Sequence, residues 1–177
     1  MPRPNSTVVI VAGTAADKVV SRLDGLANVR AAAGQDEESA RALIAQSHAA
    51  YVVHDADPLS GVAAAWTGFF DRTDTPGTLE VAVETTLAGL RRGTVQLPDY
   101  YVVLEPESLP ATEKHWWLGV LAGISPNRVI PARASAGAVA DVLSRLPSGR
   151  WWPDPPDEWL RGLGHAVPDQ VGVPGSA

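Results

Sequence analysis

This 177-residue sequence predicts a doubly wound α/β fold: a five-stranded parallel sheet in the flavodoxin-like order 2-1-3-4-5. Two observations carry the prediction. Five short apolar runs recur along the chain, and each is separated from the next by a segment with apolar residues at helical spacing, long enough for a crossover. The 45% apolar content suffices for one substantial core at this length.

The first strand, Thr7 to Ala12, is apolar on both sets of alternate positions, the pattern of a strand covered on both faces. It ends at Gly13-Thr14, and a helix follows through Val19, Val20, Leu23 and Leu26. A weaker second strand over 28–33 leads into Asp36-Glu37-Glu38, acids suited to a helix start, and then Ala40, Leu43 and Ile44 at helical spacing. The third strand, 49–54, closes with Tyr51-Val52-Val53-His54 and enters a polar loop from Asp55 to Gly61. Val62, Ala65, Trp66, Phe69 and Phe70 form the next amphipathic helix.

Thr75 before Pro76 predicts an N-cap followed by proline at the first helical position, with Leu79, Val83, Leu87 and Leu90 as the buried stripe. Tyr100 to Leu104 is the fourth strand, and a helix over 112–122 carries Trp116, Trp117, Val120 and Leu121. The fifth strand is 128–130, and a last core helix runs from Ser135 through Val139, Val142, Leu143 and Leu146. Residues 1–150 are read as one α/β domain and 151–177 as a tail rich in Trp and Pro. Trp151, Trp152 and Trp159 are expected to pack the tail back, and 167–177 is expected to be disordered.

Composition removes several function classes. The chain has no cysteine, so disulfide, thiolate-metal and thiol-nucleophile chemistry are excluded. Fourteen basic against twenty acidic residues give a net charge of -6, which argues against a nucleic-acid partner. The segment Met1 to Ser6 lacks a signal-peptide core and no stretch approaches a membrane span, so a soluble cytoplasmic protein is expected. Gly13-Thr14-Ala15-Ala16-Asp17 carries neither a dinucleotide fingerprint nor a Walker lysine, and no serine lies in a Gly-x-Ser-x-Gly elbow. The histidines are dispersed, so no transition-metal site is expected. A hard cation on Asp55, Asp57 and Asp74 is a minor alternative.

Ligands of open parallel sheets bind beyond the carboxyl ends of the strands where connections diverge, here between strands one and three. That rule selects Gly13-Thr14, the loop from His54 and Asp55 to Gly61, and the approach to the helix at Pro76. His54 directly ends strand three and could act there as an acid or base, or be a hydrogen-bonded structural residue. In Asp74-Thr75-Pro76-Gly77-Thr78-Leu79-Glu80, Glu80 lies in the opening turns of the helix, where the dipole favours its ionised form. An ionised carboxylate there suits a reaction with oxocarbenium character, and the same residues also make an ordinary helix start.

Asp74, Gly77-Thr78 and Glu80 after a strand-three loop resemble the nucleoside 2-deoxyribosyltransferases and their nucleotide N-glycosidase relatives. Gly77-Thr78-Leu79-Glu80 also resembles the end of the motif of lysine-decarboxylase-like cytokinin phosphoribohydrolases. Both resemblances imply cleavage of a base-to-sugar bond in a nucleoside or nucleotide on a flavodoxin-like sheet, without a cofactor and with a homo-oligomer as one option. They make Glu80 the catalytic glutamate and Asp74 its acidic companion, with Gly13, Thr14, His54, Asp55, Gly77 and Thr78 around the substrate. One residue rather than two separates Thr78 from Glu80, and Ala82 stands where the pattern has glycine. Those departures support the alternative, a non-catalytic flavodoxin-like binding or protein-interaction module.

Overall fold

The computed structural model describes residues 6–166. Five strands, β1 (Thr7–Gly13), β2 (Val29–Ala32), β3 (Tyr51–His54), β4 (Tyr100–Leu104) and β5 (Val129–Ala132), form one parallel sheet. The helices are α1 (Ala16–Ser21), α2 (Glu37–Gln46), α3 (Ser60–Phe70), α4 (Pro76–Arg92), α5 (Ala111–His115), α6 (Ala122–Ile124), α7 (Ala136–Leu143) and α8 (Asp157–Arg161). No helix among the described residues is long and apolar enough to cross a membrane.

The doubly wound parallel α/β class is the predicted one, while the order along the sheet is β2-β3-β1-β4-β5. Relative to the expected 2-1-3-4-5, β1 and β3 have exchanged places. Burial accounts for it. β1 buries five consecutive residues, Val8 to Ala12, and takes the centre, whereas β3 buries three, Val52 to His54, and lies one place out beside the edge strand β2 with its exposed Arg30. The β1-to-β2 crossover therefore passes over the slot that β3 later fills.

Alternation along the strands divides the core between two faces. α1 and α7 pack on the face bearing Val9, Val11 and Val102. On the opposite face α3, α4 and the segment after β4 pack on Ile10, Tyr101 and Val103, and α2 packs on Val8 and Val52. α4 begins as its sequence predicts: the Thr75 side chain accepts from the Thr78 N–H at 3.4 Å, Pro76 opens the first turn, and Gly93 at φ 69° ends the helix.

The helix expected over 112–122 contains a π-helical stretch, Trp116–Leu121, between α5 and α6. The wider turn brings the consecutive Trp116 and Trp117 both inward, 0% and 5% exposed. Trp117 packs on Tyr101 with ring centroids 5.3 Å apart, and Trp116 on Trp66 at 5.7 Å.

Beyond α7 the chain runs back across the molecule, held by Arg128. This guanidinium lies between the rings of Tyr100 and Trp151, 4.5 and 3.8 Å from their centroids, and donates to the carbonyls of Arg150 at 3.0 Å and Gly149 at 2.9 Å. Trp152 Nε1 donates to the Pro98 carbonyl at 2.7 Å. α8 and the 3₁₀ turn Gly162–His165 then insert Leu160 and Leu163 into the core beside α3 and α4. The segment expected to be disordered, 167–177, lies outside the described residues.

Candidate functional site

β1 hands its chain to α1 on one face of the sheet and its neighbour β3 to α3 on the other, so their ends form a switch point between strands one and three. In register, Ile10 stands between His54 of β3 and Tyr101 of β4, which places all three on the face that α3 covers. Gly13 closes β1 at φ 100°, where a Cβ would sit 2.7 Å from the Leu104 carbonyl oxygen. Only glycine meets both conditions without moving β4. Thr14 after it is exposed.

His54 is 3% exposed, and neither ring nitrogen has a hydrogen-bond partner among the described residues. Burial pulls the imidazole down to about 4, partly offset by the Asp55 charge and the Ala56 backbone, so the ring is neutral at physiological pH. Asp55 is occupied: its carboxylate oxygens accept the Gly34 N–H at 2.8 and 3.0 Å, tying the loop after β2 to the loop after β3.

Asp57, half-buried, was the less visible partner in the sequence. One of its oxygens accepts the Leu59 N–H at 2.9 Å and the Tyr101 hydroxyl at 2.8 Å, which fixes the start of α3 over β4. Burial pushes the Asp57 carboxyl up to about 6, against the lowering effect of these two bonds. Burial, and then Asp57 itself, pushes the Tyr101 hydroxyl well above its usual value, so it stays a donor. A tyrosine in the middle of a wholly buried strand must place its hydroxyl somewhere, and that was the available signal.

His54 and Asp57 bias stability in opposite directions. The folded imidazole titrates at about 4 rather than 6.5, so its contribution is lost as pH falls from 6.5 to 4. The folded Asp57 carboxyl titrates at about 6 rather than 3.8, so its protonation restores stability as pH falls from 6 to 3.8. Each effect is on the order of 3 kcal/mol across its window, so the two largely cancel. Replacing Asp57 by Asn removes the offset, and the variant is expected to lose stability more steeply than the parent between pH 6 and pH 4 in urea titrations. Parallel losses in the two proteins would contradict the assignment.

The third candidate loop is elsewhere. Asp74 packs against Gly68, where a Cβ would lie 3.0 Å from the Asp74 Cβ. Gly68 is eight residues along α3 from Ser60, so it lies about 12 Å from the helix start beside Asp57. Asp74 accepts from the Thr75 N–H at 2.8 Å and from the Thr78 hydroxyl at 2.5 Å. The Thr78 hydroxyl, followed by the Thr75 N–H, holds the Asp74 carboxyl below its usual range. Gly77 is exposed in the same turn. Asp74, Thr78 and Thr75 thus cap α4.

Glu80 is exposed, and among the described residues it has no ion pair. It borders a hollow of about 500 Å³ between α4 and the α8 region, with Phe69, Leu79, Leu160 and His165 in its walls. Its neighbour Glu84 is engaged by Arg161 at 2.7 and 3.2 Å, and Arg161 and Arg91 both reach Asp157. None of Gly13, Thr14, His54 and Asp55 lines this hollow. The structure therefore holds two separate groups, the strand-end cluster with His54 and the helix-side hollow with Glu80. Among the described residues no group of three or more His, Asp or Glu is placed to hold a metal ion. No family model, curated protein or solved structure matches the chain.

Proposed function

We propose that this chain is a small-molecule-binding α/β domain that works at the switch point between β3 and β1. One observation carries the reading: a neutral, 3%-exposed histidine at the end of β3 has, among the described residues, no well-formed hydrogen bond at either ring nitrogen. An unsatisfied imidazole at such a depth costs stability, and its position at the diverging strand ends gives that cost a use. Asp55 and Asp57 support it by tying three neighbouring segments around the ring. The test is imidazole NMR on protein labelled at its four histidines, against a panel of nucleosides, nucleotides, sugars and amino acids. At least one compound is expected to move the His54 resonance, and His54→Phe to abolish its binding. Compounds that bind without touching His54 would refute the reading.

A second reading, cleavage of a base-to-sugar bond, is favoured by the open hollow beside Glu80. Its volume falls within the usual range for small-molecule sites, and among the described residues the Glu80 carboxylate is not engaged in an ion pair. Glu80 would face the anomeric carbon and stabilise the oxocarbenium character, while His165 on the other wall would meet the leaving base. Purified protein is then expected to release free base from a nucleoside or nucleotide, with Glu80→Ala lowering turnover at least about 100-fold. Unchanged turnover in that variant removes Glu80 from the chemistry.

A further inference from the structure

We propose that the switch-point site takes an uncharged ligand presenting both a hydrogen-bond donor and an acceptor, and discriminates against the phosphorylated form of the same molecule. The inference rests on the reading of the switch point as the ligand site and adds the chemistry of what it accepts.

Phosphate recognition in parallel α/β folds relies on free backbone N–H groups at helix starts and on nearby cations. Here three of the N–H groups around the strand ends are taken by the protein's own carboxylates, while α1 and α3 have no side-chain cap. Asp36 caps α2 by accepting the Ser39 N–H at 2.8 Å, Asp57 accepts the Leu59 N–H at the start of α3, and Asp55 accepts the Gly34 N–H. The first turn of α1 carries Asp17. The loops 13–17, 33–37 and 54–61 together hold the five acids Asp17, Asp36, Glu37, Asp55 and Asp57 and neither lysine nor arginine. Glu37 lies close enough to Asp57 to raise its carboxyl electrostatically, so the negative field reaches the cluster. A phosphate arriving there would meet like charge from these acids and would find the Gly34, Ser39 and Leu59 N–H groups already occupied.

His54 supplies the positive half of the argument. A neutral imidazole has one N–H donor and one bare nitrogen acceptor, and among the described residues neither has a partner in good hydrogen-bond geometry, the Ala56 backbone lying close to the ring. A hydroxyl pair, or the edge of an uncharged heterocycle, would satisfy both. A carboxylate or phosphate, acceptors only, would leave the bare nitrogen unpaired.

The experiment compares ribose, glucose and adenosine, each beside its phosphate ester, by calorimetry and by the His54 imidazole resonance at 20 mM and 500 mM salt. An uncharged member is expected to bind and to move the His54 signal, with its ester at least ten-fold weaker at low salt. That gap should shrink at high salt and in Glu37→Gln. An ester that moves the His54 signal and binds as tightly as its parent overturns the ligand class while leaving the site reading intact. Failure of all six compounds to bind also overturns the ligand class. Binding of any of them with no response at His54 overturns the site reading itself.

Discussion

Trp66→Ala is expected to cost about 4 kcal/mol, a large share of the stability of a domain this size. The indole is wholly buried between α3 and the helical segment after β4, 4.7 Å from the Phe70 ring and 5.7 Å from Trp116 between centroids. Its Nε1 donates to the Leu163 carbonyl at 3.0 Å. Truncation therefore opens a cavity and also orphans a carbonyl in the segment that seals the core. Two readouts separate these effects. Trp66→Phe keeps most of the volume and loses the bond, about 1 kcal/mol, while both variants should speed proteolysis within 147–166. A urea midpoint for Trp66→Ala within error of the parent would show that the tail does not close on this ring.

Gly13→Ala is expected to cost about 3 kcal/mol, combining a left-handed backbone with steric overlap. The contact at 2.7 Å is to the backbone oxygen of Leu104, which is fixed by its own place in β4, so no side chain can rotate away. β1 is the central strand, and separating it from β4 disturbs the sheet where it is most buried. Ala at Gly34, where φ is +65° but nothing lies within 4 Å of the Cβ, measures the strain without the clash. A Gly13→Ala loss no larger than that of Gly34→Ala would contradict the close approach.

Much of the architecture was legible because its signals are local. The β-branched run at the first strand, the Thr75-Pro76 start and the Ser135 cap each act within a few residues, and each element forms where these signals stand. Strand order was not legible, since it is decided by which strand gains most from the centre, a comparison between distant segments. The π-helical stretch was hidden because Trp116-Trp117 reads equally as an ordinary helix with one tryptophan inward. At the site, His54 could be selected from its place at a strand end, but its company could not. Asp57 and Tyr101 are 44 residues apart and meet only once the α3 start lies over β4. Around Glu80 the Asp, Gly-Thr and Glu spacing drew attention to a turn whose bonds serve the helix cap, and the hollow beside it depends on residues 160–165 far along the chain.

The outer strands bear on self-association. On β5 the carbonyls of Arg128 and Ala132 bond inward to β4, so Pro131 between them faces the open edge with no N–H to offer. On β2 the two outward amides are spoken for, Val29 by the Leu26 carbonyl at 3.2 Å and Ala31 by the Asp24 carboxylate at 3.3 Å. The edge proline on β5 and the two occupied amides on β2 both disfavour addition of a further strand, so lateral growth by strand pairing is discouraged at either rim.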